Sequence, residues 1–189
     1  MIIQKPEVSR RYALKEPCTT EDSINHLRDR LTKFDTQHPQ EHEGVWYLDM
    51  ERFNNIYKLT LSPEEAVLEY GPLSNTRPEK EDVLEIQKAM ETIKPKIPSV
   101  KRSYQLKHQC PPREFISSIE QKLGETFNIT EIRPSMGDQQ LSLNRDNVNR
   151  FTLTLNRKQV ILEYGPLDSS DFEGEHVSEI EKILMEVYR

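Results

Sequence analysis

Residues 57–73 read Tyr-Lys-Leu-Thr-Leu-Ser-Pro-Glu-Glu-Ala-Val-Leu-Glu-Tyr-Gly-Pro-Leu, and residues 151–167 read Phe-Thr-Leu-Thr-Leu-Asn-Arg-Lys-Gln-Val-Ile-Leu-Glu-Tyr-Gly-Pro-Leu. The stretches lie 94 residues apart and agree at nine of seventeen positions. Each alternates apolar and polar residues on both sides of a short polar turn, the pattern of a hairpin with one buried face. Tyr57, Leu59, Leu61, Ala66, Leu68 and Tyr70 face inward, as do Phe151, Leu153, Leu155, Val160, Leu162 and Tyr164. Thr60, Val67 and Glu69 face away, matched by Thr154, Ile161 and Glu163. Gly-Pro ends each hairpin, because Gly reaches dihedrals closed to other residues and Pro cannot donate to a ladder.

The duplication extends outward from there. Residues 9–16 alternate as a strand, and residues 101–108 repeat them at an offset of 92, with Arg10/Arg102, Tyr12/Tyr104, Leu14/Leu106, Lys15/Lys107 and then Cys18/Cys110 matched. A helix follows in each copy. Ile24, Leu27, Leu31 and Phe34 form one stripe, and Ile116, Ile119, Leu123 and Phe127 the other. A closing helix carries Val83, Ile86, Met90 and Ile93, then Val177, Ile180, Leu184 and Val187. The copies diverge between. Asp35–Gly44 reads as a loop before a short strand Val45–Leu48, and Asn128–Arg133 as an extra short strand before a loop Pro134–Gln140. Aligning Trp46 with Leu141 and Leu48 with Leu143 requires an offset of 95.

Each repeat therefore reads β-α-β-β-β-α, an α+β unit whose antiparallel sheet carries both helices on one face. Repeat one spans residues 9–94 and repeat two residues 101–188, joined by a proline-containing linker at 95–100. Pairing edge to edge would give one pseudo-twofold domain and hide an edge strand of each repeat. The order of elements resembles the saddle of the TATA-box-binding protein, although none of that family's sequence motifs is present. That resemblance implies a nucleic-acid-binding saddle.

Composition weighs against nucleic acid. The 189 residues carry 26 basic and 32 acidic side chains, net −6, which opposes attraction to phosphate backbones. Residues 1–94 hold 13 basic and 18 acidic groups, and residues 95–189 hold 13 and 14. No apolar run reaches membrane-spanning length and no secretory signal opens the chain, so a cytoplasmic location is expected. Cys18 and Cys110 read as reduced, buried or half-buried thiols before helices.

Function is less legible. No phosphate loop, nucleophile elbow, metal-ligand spacing or acid/base pair is present. His38 and His42 flank a Pro-Gln-Glu loop rather than a helix, so no metal and no cofactor are expected. The outward sheet face should present Lys15, Lys107, Thr60, Thr154, Glu69 and Glu163, a set that ordinary cross-strand pairing also explains. The divergent segments 35–47 and 128–140 are the better ground for specificity, since loops on a rigid scaffold carry it. Trp46, Tyr47, His38, His42, Glu131 and Arg133 are the candidate partner-binding residues there. The acid-rich stretch Asp168–Glu186 suits a helix start, and also resembles the export signals of some bacterial translocated effectors. The leading expectation is a non-enzymatic adaptor or regulator that binds another protein. The alternative is a small-molecule or nucleotide binder, with Lys15, Lys107 and the tyrosines facing an anionic ligand in a cleft between the repeats.

Overall fold

The computed structural model describes residues 3–74, 78–135, 137–145, 149–167 and 174–189. The fold is α+β, with helices packed on antiparallel sheet, and it divides into two compact units. One is Glu7–Ser99. The other is Val100–Arg189 together with Met1–Pro6.

The first unit runs β1 (Glu7–Ala13), α1 (Thr20–Arg30), β2 (Asp35–Thr36), β3 (Gln40–His42), β4 (Val45–Arg52), β5 (Asn55–Leu61), β6 (Glu65–Tyr70) and α2 (Glu79–Met90). Its strands lie in the order β2-β4-β5-β6-β1, with β3 also on β4. The second unit runs β7 (Ser99–Gln105), α3 (Pro112–Gly124), β8 (Asn128–Ser135), β9 (Asp138–Asn144), β10 (Arg150–Leu155), β11 (Gln159–Tyr164) and α4 (Gly174–Val187), in the order β7-β11-β10-β9-β8.

Alternation builds the cores as the sequence requires. Tyr57, Leu59, Leu61, Ala66 and Leu68 are buried against Ile24, Leu27, Leu31, Val83, Ile86 and Met90 of the helical stripes. Phe151, Leu153, Leu155, Val160 and Leu162 join Ile119, Leu123, Val177, Ile180 and Leu184. Acids in the first turn and bases in the last turn of α1 (Glu21 and Asp22; Arg28 and Arg30) complement its dipole. Gly71 and Gly165 take positive φ of 100° and 98° before their cis prolines, which only glycine does without strain.

The divergent segments hold more strand than the alternation predicts. The expected loop Asp35–Gly44 contains β2 and β3, and the short strand Val45–Leu48 extends to Arg52. In the second unit β8 reaches Ser135 and β9 begins at Asp138, so the expected loop Pro134–Gln140 is mostly ladder. Strands at a sheet margin need backbone pairing but no buried face, so their side chains leave little pattern.

The offset of 95 between Trp46 and Leu141 is corrected as well. Leu48 pairs with Leu59, and Leu141 pairs with Leu153, the counterpart of Leu59, so β4 and β9 correspond at an offset of 93. Trp46 therefore stands where the second unit has Gln139. A slip of two residues keeps every side chain on its face, so hydrophobic pattern alone cannot detect it.

Each unit is completed by an arm. Ile3, 2% exposed, bridges Leu106, and Gln4 N–H donates to Gln105 C=O. In the first unit Pro95 bridges Leu14, and Lys96 N–H donates to Ala13 C=O. The arm that precedes β1 in sequence thus belongs to the second unit, and the arm that precedes β7 lies on the first. Both cysteines are free, Cys18 half-buried and Cys110 buried.

Candidate functional site

The face of the first sheet opposite its helices is laid out by register. Gln40, Tyr47, Thr60, Val67 and Arg11 form one row across β3, β4, β5, β6 and β1. Asp49, Lys58, Glu69 and Ser9 form the next. Lys58 stands between two carboxylates in register, and Arg11 pairs with Glu65 at 3.5 Å. The charges on this face therefore largely answer one another, as cross-strand pairs do. Tyr47, 41% exposed, has no charge to answer and lies beside Thr60 in register. Two local features hold the register. The β4–β5 hairpin turns through Phe53 and Asn54, both at positive φ (51° and 61°), which matches strand twist. The β5–β6 turn closes where Ser62 N–H and Glu65 C=O bond at 2.9 Å.

Trp46 and Tyr47, adjacent in sequence, are separated by the pleat. Trp46 pairs with buried Leu61 on the helix side and is half-buried, whereas Tyr47 is on the open face. His42 lies on β3 opposite Val45, and His38 is exposed in the preceding connection. Thr60 and Glu69 are on the open face, as are Thr154 and Glu163, which pair with Thr152, Gln140, Ile161 and Lys101. Lys15 and Lys107 are not on it. Both lie in exposed bends beyond β1 and β7, because the strands end where the arms bridge Leu14 and Leu106. Glu131 and Arg133 sit on β8 at the margin of the second sheet and pair with each other. Among the described residues no three His, Cys, Asp or Glu side chains converge as a metal site.

Several charged side chains that the pattern does not single out lie on the helix side. Asp82 is fully buried in the first turn of α2, accepting from Tyr57 Oη at 2.7 Å and pairing with Arg52 at 3.2 Å. Burial and this carboxylate both hold the Tyr57 phenol protonated well above its usual range. Arg10, 3% exposed, donates to Tyr70 Oη at 2.8 Å, and Tyr70 donates to Glu79 at 2.5 Å. In the second unit Arg102 reaches Glu181 at 3.0 Å, and Tyr104 donates to the same carboxylate at 2.5 Å. The signal for Arg10 and Arg102 is visible in sequence, since an arginine recurs on an inward strand face between apolar neighbours. Arg52 also lies over the rings of Phe34 and Phe53 and lines a concavity of about 370 Å³ with Lys33, Glu81, Leu84, Glu85 and Lys88.

The duplication provides a comparison inside the molecule. Arg145 beyond β9 matches Arg52, but Phe151 replaces Tyr57 and His176 replaces Asp82. Arg145 Nη1 bonds Glu179 at 2.8 Å and His176 Nδ1 at 3.1 Å, while His176 sits edge-on to Phe127 and Phe151. Arginine has no acceptor, so in this contact Nδ1 is the accepting atom. When the tyrosine hydroxyl is lost the buried carboxylate goes with it, and the arginine turns to Glu179. Three described acids of Asp168–Glu186 are similarly occupied, Glu179 by Arg145, Glu181 by Arg102 and Glu186 by Lys122 at 2.7 Å. Residues 168–173 lie outside the described residues.

The chain matches no protein-family model and no curated protein sequence. Among solved structures it is similar to the regulatory subunit of aspartate kinase from Thermus flavus, at 9% identity and a TM-score of 0.29, over 99% of this chain and 95% of that one. A score that low says nothing of a shared site or ligand. No helix among the described residues is long and apolar enough to cross a membrane.

Proposed function

We propose that the chain is a non-enzymatic protein-interaction module, an adaptor or regulator, that takes its partner on the open face of the first sheet. The observation that carries this reading is the row Gln40, Tyr47, Thr60, Val67 and Arg11, in which an exposed tyrosine stands between Gln40 and Thr60 and is bordered by charges of both signs. An aromatic ring with a polar tip inside a polar rim is the composition of a binding hot spot. The reactive-looking groups support the same reading. Asp82, Glu79 and Glu181 are each committed to a tyrosine and an arginine on the helix side.

Affinity capture from the native cell tests it. Tyr47→Ala should lose the captured partner with melting unchanged, while Trp46→Ala should lower melting. Capture that survives Tyr47→Ala sinks this placement.

The concavity at Arg52 supports a second reading, a small anionic ligand held by Lys33, Arg52 and Lys88. Against it, Lys33 already pairs with Glu85 at 3.0 Å and Arg52 with Asp82. Binding would stabilise the fold by mass action, so a nucleotide and metabolite library should raise the melting temperature. A flat screen removes it.

A further inference from the structure

Strand β8 lies at the margin of the second sheet, hydrogen-bonded to β9 on one side. Such an edge is a template for another strand. Its sequence, Asn128-Ile129-Thr130-Glu131-Ile132-Arg133-Pro134-Ser135, has a centre at Ile132, with an acid on one side and a base on the other.

We propose that β8 pairs antiparallel with β8 of a second copy of this chain, about a twofold axis at Ile132. Antiparallel pairing about that residue sets Glu131 of one copy opposite Arg133 of the other, twice by symmetry. Within one copy these two side chains pair with each other on the open face. In the dimer the same charges exchange partners across the axis, so no charge is left unanswered.

The backbone fits this centre. Antiparallel ladders bond at alternate residues, and Pro134 has no N–H to give β9. Pro134 therefore marks the pairs with β9 that carry no bond. Ile132, two residues earlier, turns its N–H and C=O to the free edge, and two copies of Ile132 can exchange both bonds. Its side chain shares the helix-side face with buried Leu141 yet stays 42% exposed. Pairing about the axis would set the two isoleucines side by side and extend each core across the junction.

The devices that commonly protect an edge also act here, as limits on length. A register shift lies between Ile129 and Glu131, and Thr130 Oγ1 bonds Ser142 C=O at 3.2 Å. Across the twofold, Thr130 meets Pro134, so the ladder stops beyond these residues. An isologous pair consumes both edges and cannot grow into a fibre.

The test uses the full chain in sedimentation velocity over a concentration series. The wild type should show a concentration-dependent species of twice the chain mass. Glu131→Arg and Arg133→Glu should each weaken it by about tenfold or more, since each sets like charges opposite one another twice. The double variant Glu131→Arg/Arg133→Glu restores complementarity and should restore the dimer. Independently, Ile132→Cys in a Cys18→Ser, Cys110→Ser background should form an intermolecular disulfide on mild oxidation, because directly opposed strand residues lie within bridging distance. A monomer at every concentration overturns the proposal. So does a dimer that Glu131→Arg leaves intact, or the failure of the Ile132→Cys variant to cross-link.

Discussion

Tyr57 Oη donates to Asp82 Oδ2 at 2.7 Å, and this bond exists in only one half of a duplicated chain. The matching positions hold Phe151 and His176, which meet edge-on at 6.2 Å. Hydroxyl and carboxylate are absent together, as they must be if neither is to be buried without its partner.

Asp82 should therefore be costly to remove alone. Asp82→Ala leaves Arg52 and Tyr57 unanswered and should destabilise the first unit by roughly 3–5 kcal/mol. Tyr57→Phe removes one neutral donor and should cost about 1 kcal/mol. The pair Tyr57→Phe/Asp82→His imports the second unit's arrangement, with Glu85 in the place of Glu179, and should be milder than Asp82→Ala. Denaturant titration with a probe in residues 7–99 ranks the variants, and a double variant no better than Asp82→Ala would contradict the account.

Residue 3 should stabilise a unit whose main segment begins at Val100. Ile3 is 2% exposed and bridges Leu106, so Ile3→Ala should cost roughly 2–5 kcal/mol. Hydrogen exchange locates the loss. Protection should fall over residues 100–189 and hold over residues 7–99.

Alkaline pH should meet resisting tyrosines. Burial, with the Asp82 carboxylate for Tyr57 and Glu181 for Tyr104, holds the phenols of Tyr12, Tyr57, Tyr104 and Tyr188 protonated above the usual value near 10. A raised phenol favours folding while it is protonated in both states. That contribution is whole below about pH 10, the unfolded value, and is lost as pH rises through the folded values. Tyrosinate absorbance should account for fewer than the seven tyrosines until the chain unfolds. Full ionisation near pH 10 in the folded state would contradict this.

Trp46 and Tyr47 should separate stability from binding. Trp46 pairs with Leu61 on the packed face, so Trp46→Ala should be destabilising, by more than about 1 kcal/mol. Tyr47→Ala should stay within about 0.5 kcal/mol, the range of exposed substitutions. Thermal melting of the two single variants settles the contrast.

The hairpins 57–70 and 151–164 were legible because burial of one face imposes a period of two, which a sequence displays openly. The helical stripes were legible for the same reason at a longer period. The correspondence of Trp46 with Gln139 was not, since any even slip preserves the alternation. β2, β3 and the last two residues of β8 left little trace, because a marginal strand is held by backbone bonds that side chains do not encode. The open-face placement of Thr60 and Glu69 followed from parity. That of Lys15 did not, because the strand ends where Leu14 bridges Pro95, a residue far away in the chain.

By itself, the sequence determined that the chain is a duplicated α+β protein, which faces of its central hairpins are buried, and that its net charge is −6. These follow from composition and short periodicities, which act between near neighbours. Only the tertiary structure decided the register of β4 and β9, the partners of Arg10, Arg52 and Asp82, and the unit to which residue 3 belongs. Each of these depends on contacts between distant segments, which local pattern does not specify. The repeated stretch at 57–73 and 151–167 is common to both units because both need the same core. The differences at Tyr57/Phe151 and Asp82/His176 appear only when helix and sheet are brought together.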